Sequence, residues 1–69
     1  MATYKAVGYD ITQKSSKNEY KHAVVHTNFY GTIVASFHTS MEVALTYANK
    51  VNEDPDFKYI DLVPVEKVA

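Results

Sequence analysis

Tyr20-Lys21-His22-Ala23-Val24-Val25-His26-Thr27-Asn28-Phe29-Tyr30-Gly31-Thr32-Ile33-Val34-Ala35-Ser36-Phe37-His38 is the stretch that decides the fold. Its two flanks, Tyr20 to Thr27 and Thr32 to His38, are rich in β-branched and aromatic residues and suit half-buried strands. Between them, Phe29-Tyr30-Gly31 fits a three-residue hairpin loop, a type I turn followed by a left-handed residue, the position where glycine costs least. The loop sets the register: Asn28 opposite Thr32, Val24 opposite Ser36, His22 opposite His38. Alternation then sorts the side chains onto two faces. Ala23, Val25, Thr27, Ile33, Ala35 and Phe37 form the more apolar face, which is expected to be the core. His22, Val24, His26, Val34, Ser36 and His38 form the other.

The chain runs from this hairpin straight into a helix, expected over Thr39 to Val51. Thr39-Ser40-Met41-Glu42 matches a capping box with Thr39 as the cap. Met41, Ala44, Leu45, Ala48 and Val51 recur at helical spacing and make an apolar stripe. Glu42, Thr46, Asn49 and Glu53 fall on the opposite side. Asn52 is a plausible stop, and Pro55 prevents continuation.

Working outward, Ala2 to Ile11 reads as a first strand, with Gly8 suggesting a bulge. Thr3, Lys5, Val7, Tyr9 and Ile11 share one face, and Tyr4, Ala6 and Gly8 the other. Either set fits the inside. Thr12 to Asn18 is polar and reads as an exposed loop, with Lys14 and Lys17 offering a contact to an acidic partner as the sharper reading. Glu53-Asp54-Pro55-Asp56 is an acidic turn without the spaced ligands of a calcium loop. Phe57 to Val65 is a last strand whose Pro64 places that end at an edge or outside the sheet. Its two candidate partners are the first and third strands, and a central place beside the first is preferred. The helical crossover favours a parallel pairing somewhere in the sheet. The expected fold is therefore α+β, a single small domain over residues 1–69. Its plan is two-layer β-β-β-α-β, with one twisted, mostly antiparallel four-stranded sheet and a single helix on one face.

Composition narrows the function. The chain has 69 residues, seven lysines, no arginine, eight acids and a net charge of −1, so it lacks the footprint of a nucleic-acid or anionic-membrane binder. With no cysteine it has neither a disulfide framework nor a thiolate zinc site. No apolar signal core or spanning run is present, which makes the cytoplasm the expected location and a membrane partner unexpected. So short a core is marginal alone and is often completed by a partner subunit.

No residue pattern points to catalysis, a cofactor or a metal. His22 and His26, four apart on a strand, lie about 13 Å from each other at roughly 3.3 Å per residue. His22 and His38 face each other across the hairpin, yet two ligands fall short of a stable zinc site. Ser36 and His38 share a face, with no carboxylate placed to orient the histidine. His38-Thr39-Ser40 resembles, superficially, the H-x-T/S elements of two-histidine phosphoesterases, which carry two such elements in longer chains. A three-stranded sheet on a helix is similar in outline to the sheet-reading DNA-binding domains of plant transcription factors and integrase arms, without their motif residues. The chain is therefore not expected to be an enzyme.

What remains is a binding surface. His22, Val24, His26, Val34 and His38, joined by Tyr9 and Tyr30, make an aromatic, lightly charged face left open by a single helix, and such faces suit protein interfaces. The expected function is a non-catalytic protein-binding domain, docking on another protein or on a second copy of itself. In style, being short, cysteine-free and tyrosine-rich, the chain resembles small phage-encoded proteins, which implies an accessory factor or an inhibitor of a larger host assembly. A weak nucleic-acid-binding sheet is the alternative, and a histidine-based metal or pH sensor the third reading.

Overall fold

Asn28 builds the hairpin turn. Its side-chain Oδ1 accepts from the Tyr30 and Thr32 amides at 2.9 and 3.0 Å, and its carbonyl accepts from Gly31 N–H at 2.9 Å. Gly31 takes φ +79°, the left-handed conformation the loop requires. In the computed structural model, which describes residues Met1–Ala69, the strands on either side are β3 (His22–Thr27) and β4 (Ile33–His38). They pair in the expected register, with His22 opposite His38 and Val24 opposite Ser36.

The other elements are β1 (Ala2–Ala6), β2 (Thr12–Ser15), α1 (Met41–Glu53) and β5 (Tyr59–Lys67). The sheet has five strands rather than four, in the order β2-β1-β5-β3-β4, and every neighbouring pair is antiparallel. The extra strand comes from the segment expected to be a loop. The first strand stops at Ala6, Gly8 turns the chain at φ +90°, and Thr12–Ser15 folds back along β1. The expected parallel contact is absent. Strands β4 and β5 run in the same direction, but β3 lies between them.

Strand β5 is central, which corrects the placement of Pro64 at an edge. Its first part, Tyr59 to Pro64, pairs with β3, and Val65 to Lys67 pairs with β1. The last strand therefore does lie beside the first, while its second partner is β3 and not the hairpin's outer strand. Proline is tolerated because of where it falls in the ladders. On the β3 side the Val65 amide donates to Lys21 O at 3.0 Å, so the neighbouring His22–Pro64 position needs no proline donor. On the β1 side Pro64 O accepts from Val7 N–H at 3.0 Å, and the reciprocal bond that proline forgoes lies just past the end of β1. Ile60 is an extra residue between the Val25–Asp61 and His26–Tyr59 pairs, a bulge that adds local twist.

That twist curls the sheet until it is nearly a barrel. One core lies inside the curl, with Tyr4, Ala6, Ala23, Val25, Phe37 and Val63 at its centre. Tyr20, from the β2–β3 connection, closes it. Its ring meets Tyr4 edge-on at 5.4 Å and Phe37 at 5.8 Å, so it bridges β1 and β4, two strands that do not touch in the sheet. The even set of the first strand, Tyr4 and Ala6, is thus the buried one.

The second core lies on the opposite face, under α1, where Ala44 and Ala48 sit on Val24 with Tyr47, Tyr59 and Leu62 around them. The two alanines let the helix approach closely. Met41 and Leu45, the flank of the expected stripe, stay exposed. The cap is Ser40, not Thr39: its Oγ accepts from Val43 N–H at 3.3 Å, and the helix runs on to Glu53 with Asp54 as its C-cap.

Candidate functional site

The helix covers the face that alternation leaves open. Val24 is fully buried beneath it and His26 only 5 % exposed. The reason is local chemistry. The Nδ1 of His26 lies 2.9 Å from Thr27 O, an acceptor only, so Nδ1 carries a proton, and Nε2 shares a hydrogen bond with the Tyr47 hydroxyl at 3.2 Å. A histidine with both nitrogens satisfied packs as a core residue. The Phe57 ring, 5.6 Å away, completes its surroundings.

The remaining members of the expected face scatter. His22, Val34 and His38 are half-buried, and the His38 ring stacks at a tilt on Tyr47 with centroids 5.1 Å apart. Burial lowers the His38 pKa from its ordinary 6.5. Tyr9 is half-buried against the inner core, its hydroxyl 3.5 Å from Asp61. Tyr30 alone is open, at 86 % exposure. The seven residues therefore do not form one docking face, because helix and curl each consume part of it.

Ser36 Oγ and His38 Nε2 share a 2.9 Å hydrogen bond, the first relation of a nucleophile–base pair. The other ring nitrogen of His38 is held by no carboxylate, and neither surface groove lies at this pair. No group of three or more His, Asp or Glu side chains is placed to hold a metal ion. No buried side-chain nitrogen or oxygen lacks a partner, so the interior turns no unsatisfied polar group toward a ligand. The larger groove, about 340 Å³, is lined by Tyr4, Glu19, Tyr20, Lys21, Val65 and Lys67. Its floor is the pair of tyrosines already engaged in closing the core.

Exposed apolar side chains lie in two main places, on the helix at Met41, Val43 and Leu45 and at the hairpin tip, and only the tip adjoins a strand edge. At the hairpin tip Phe29 is 69 % exposed and packs edge-on against Tyr30 at 5.5 Å, and Ile33 beside them is 51 % exposed. Alternation assigns Ile33 to the core, but the hairpin outruns the rest of the sheet there. The β5 ladder ends at His26–Tyr59, and past it only Lys58 bonds to Thr27, through Thr27 N–H to Lys58 O at 2.9 Å and Lys58 N–H to Thr27 Oγ1 at 3.0 Å, so Ile33 on the outer strand stays open. The tip continues into β4, an outer strand of six residues without charge, proline or bulge. Outer strands are usually blunted by one of these. Phe29, Ile33 and this edge are the features that alternation misses. The signal available was the Phe29-Tyr30 pair in a loop, where polar residues are the rule. No family model, curated protein or solved structure matches the chain. No helix is long and apolar enough to cross a membrane.

Proposed function

We propose that the protein is a non-catalytic protein-binding domain that works through the β3–β4 hairpin tip and the adjoining edge of β4. The observation that carries this reading is the run of exposed apolar side chains, Phe29, Tyr30 and Ile33, continuous with an unguarded strand edge. Aromatic anchors beside open backbone donors and acceptors are what strand-addition interfaces use. An accessory or inhibitory factor that acts by occupying a larger protein needs only such a surface, and a chain of 69 residues can present one.

Photocrosslinking tests the reading. A benzophenone side chain placed at Tyr30 should give protein adducts in the cells that make the protein, and the same group at Thr46, on the outer side of the helix, should give few. Equal yields from the two positions would reject the hairpin as the binding surface.

A further inference from the structure

The structure points to the occupant of that edge. We infer that a second copy of the chain pairs with it, β4 against β4, antiparallel about a two-fold axis. This deepens the reading above and rests on it.

The backbone fixes which groups are free. Asn28 N–H donates to Thr32 O at 2.8 Å, so that pair is hydrogen-bonded, and alternation makes His26–Val34, Val24–Ser36 and His22–His38 hydrogen-bonded too. Ile33, Ala35 and Phe37 fall between them. Their N–H and C=O groups turn away from β3 toward the open edge, and no backbone partner from another element meets them. The opposite edge differs: β2 has four residues, and its Lys14 supplies a blunting charge.

A two-fold pairing must match outward residues with outward residues. Only the register centred on Ala35 uses all three. It sets Ala35 against Ala35, and Ile33 against Phe37 of the second copy in both directions, three hydrogen-bonded pairs with two bonds each. No like charges meet, because β4 has none. The exposed Ile33 gains an aromatic cross-strand neighbour. The same register carries each hairpin tip past the end of the other β4, toward its Ser40 and Met41. The tip offers Phe29 and Tyr30, and the first turn of the helix offers exposed Met41 and Val43. Two separate apolar patches, at opposite ends of one strand, become complementary under this one symmetry operation.

Light scattering across a dilution series, paired with amide hydrogen exchange, tests the inference. From about 10 μM to about 1 mM, the range a small interface calls for, the mass should rise from 7.8 kDa toward twice that value. Over the same range the Ile33, Ala35 and Phe37 amides should slow at least tenfold, while outward amides of β2 stay fast. Ala35→Pro removes an outward donor and none of the β3 ladder, so it should remain at single-chain mass. Ile33→Lys, at an exposed site, should do the same, and it decides the matter together with wild-type exchange should the proline variant fail to fold. A wild-type chain of single mass at about 1 mM, with those amides equally fast at both concentrations, would overturn the pairing. So would a dimer that survives both variants. Adducts at position 30 to a different protein, from a chain that stays monomeric, would leave the binding reading standing and remove only the second copy.

Discussion

Ser40 and His38 show how single side chains set local outcomes. Thr39 and Ser40 both have the chemistry of a cap, and a capping box at Thr39 is the better sequence match. The structure gives the role to Ser40, which sits in extended backbone, φ −138°, with Val43 N–H in reach. Ser40→Ala should therefore cost about 1 kcal/mol in urea denaturation, while Thr39→Ala should fall within about 0.5 kcal/mol of wild type. The reverse order would restore the capping box. His38 makes a pH prediction. Burial lowers its folded pKa from 6.5, so the unfolded chain binds the proton more readily than the folded one. The contribution is fully present above pH 6.5 and is lost as pH falls through the lowered folded value. Urea midpoints should drop on going from neutral pH into that window, and His38→Gln should reduce the drop. An unchanged slope in the variant would assign the effect to other groups.

At the level of elements, the hairpin and helix were legible because each carries redundant signals: Asn28 and Gly31 fix the turn, and Ala44, Ala48 and Val51 fix the buried stripe. Strand β2 was not, because Thr12-Gln13-Lys14 is polar and exposed, and pairing at an edge leaves no apolar trace. Pro64 misled for a related reason. Proline is excluded from most central positions, but β5 changes partners at that residue, so only one bond is forgone. The inner face was read correctly at Ala23, Val25 and Phe37, but the other face was expected to be open because His26 counts as polar in alternation, and the Tyr47 hydroxyl, far along the chain, makes it a core residue. The candidate site was correspondingly half-visible: Tyr30 was readable, whereas Phe29, Ile33 and the bare β4 edge required knowing where β5 stops. Tyr20 tests the closure. Its ring touches both Tyr4 and Phe37 across the curl, so Tyr20→Ala should destabilise the fold by about 3 kcal/mol, read from thermal or urea unfolding. A loss within about 0.5 kcal/mol would mean the curl closes without it.

For the whole molecule, the governing fact is that one curled sheet serves two cores. Tyr4, Ala6, Ala23, Val25, Phe37 and Val63 fill the inside, and Val24 with the helix alanines fills the outside. A chain this short has little apolar surface to spare, so what it leaves exposed at the hairpin tip and along β4 stands out against a sheet otherwise consumed by its own packing. Val24 and Val25, adjacent on β3 and pointing to opposite faces, are both fully buried, and Ile33 one strand away is open. Methyl NMR in the presence of a paramagnetic co-solute, on dilute protein, measures this directly. The Val24 and Val25 methyl signals should both keep their intensity while that of Ile33 is bleached. Bleaching of Val24 alongside Ile33 would show the helix face open, and would contradict the two-core account.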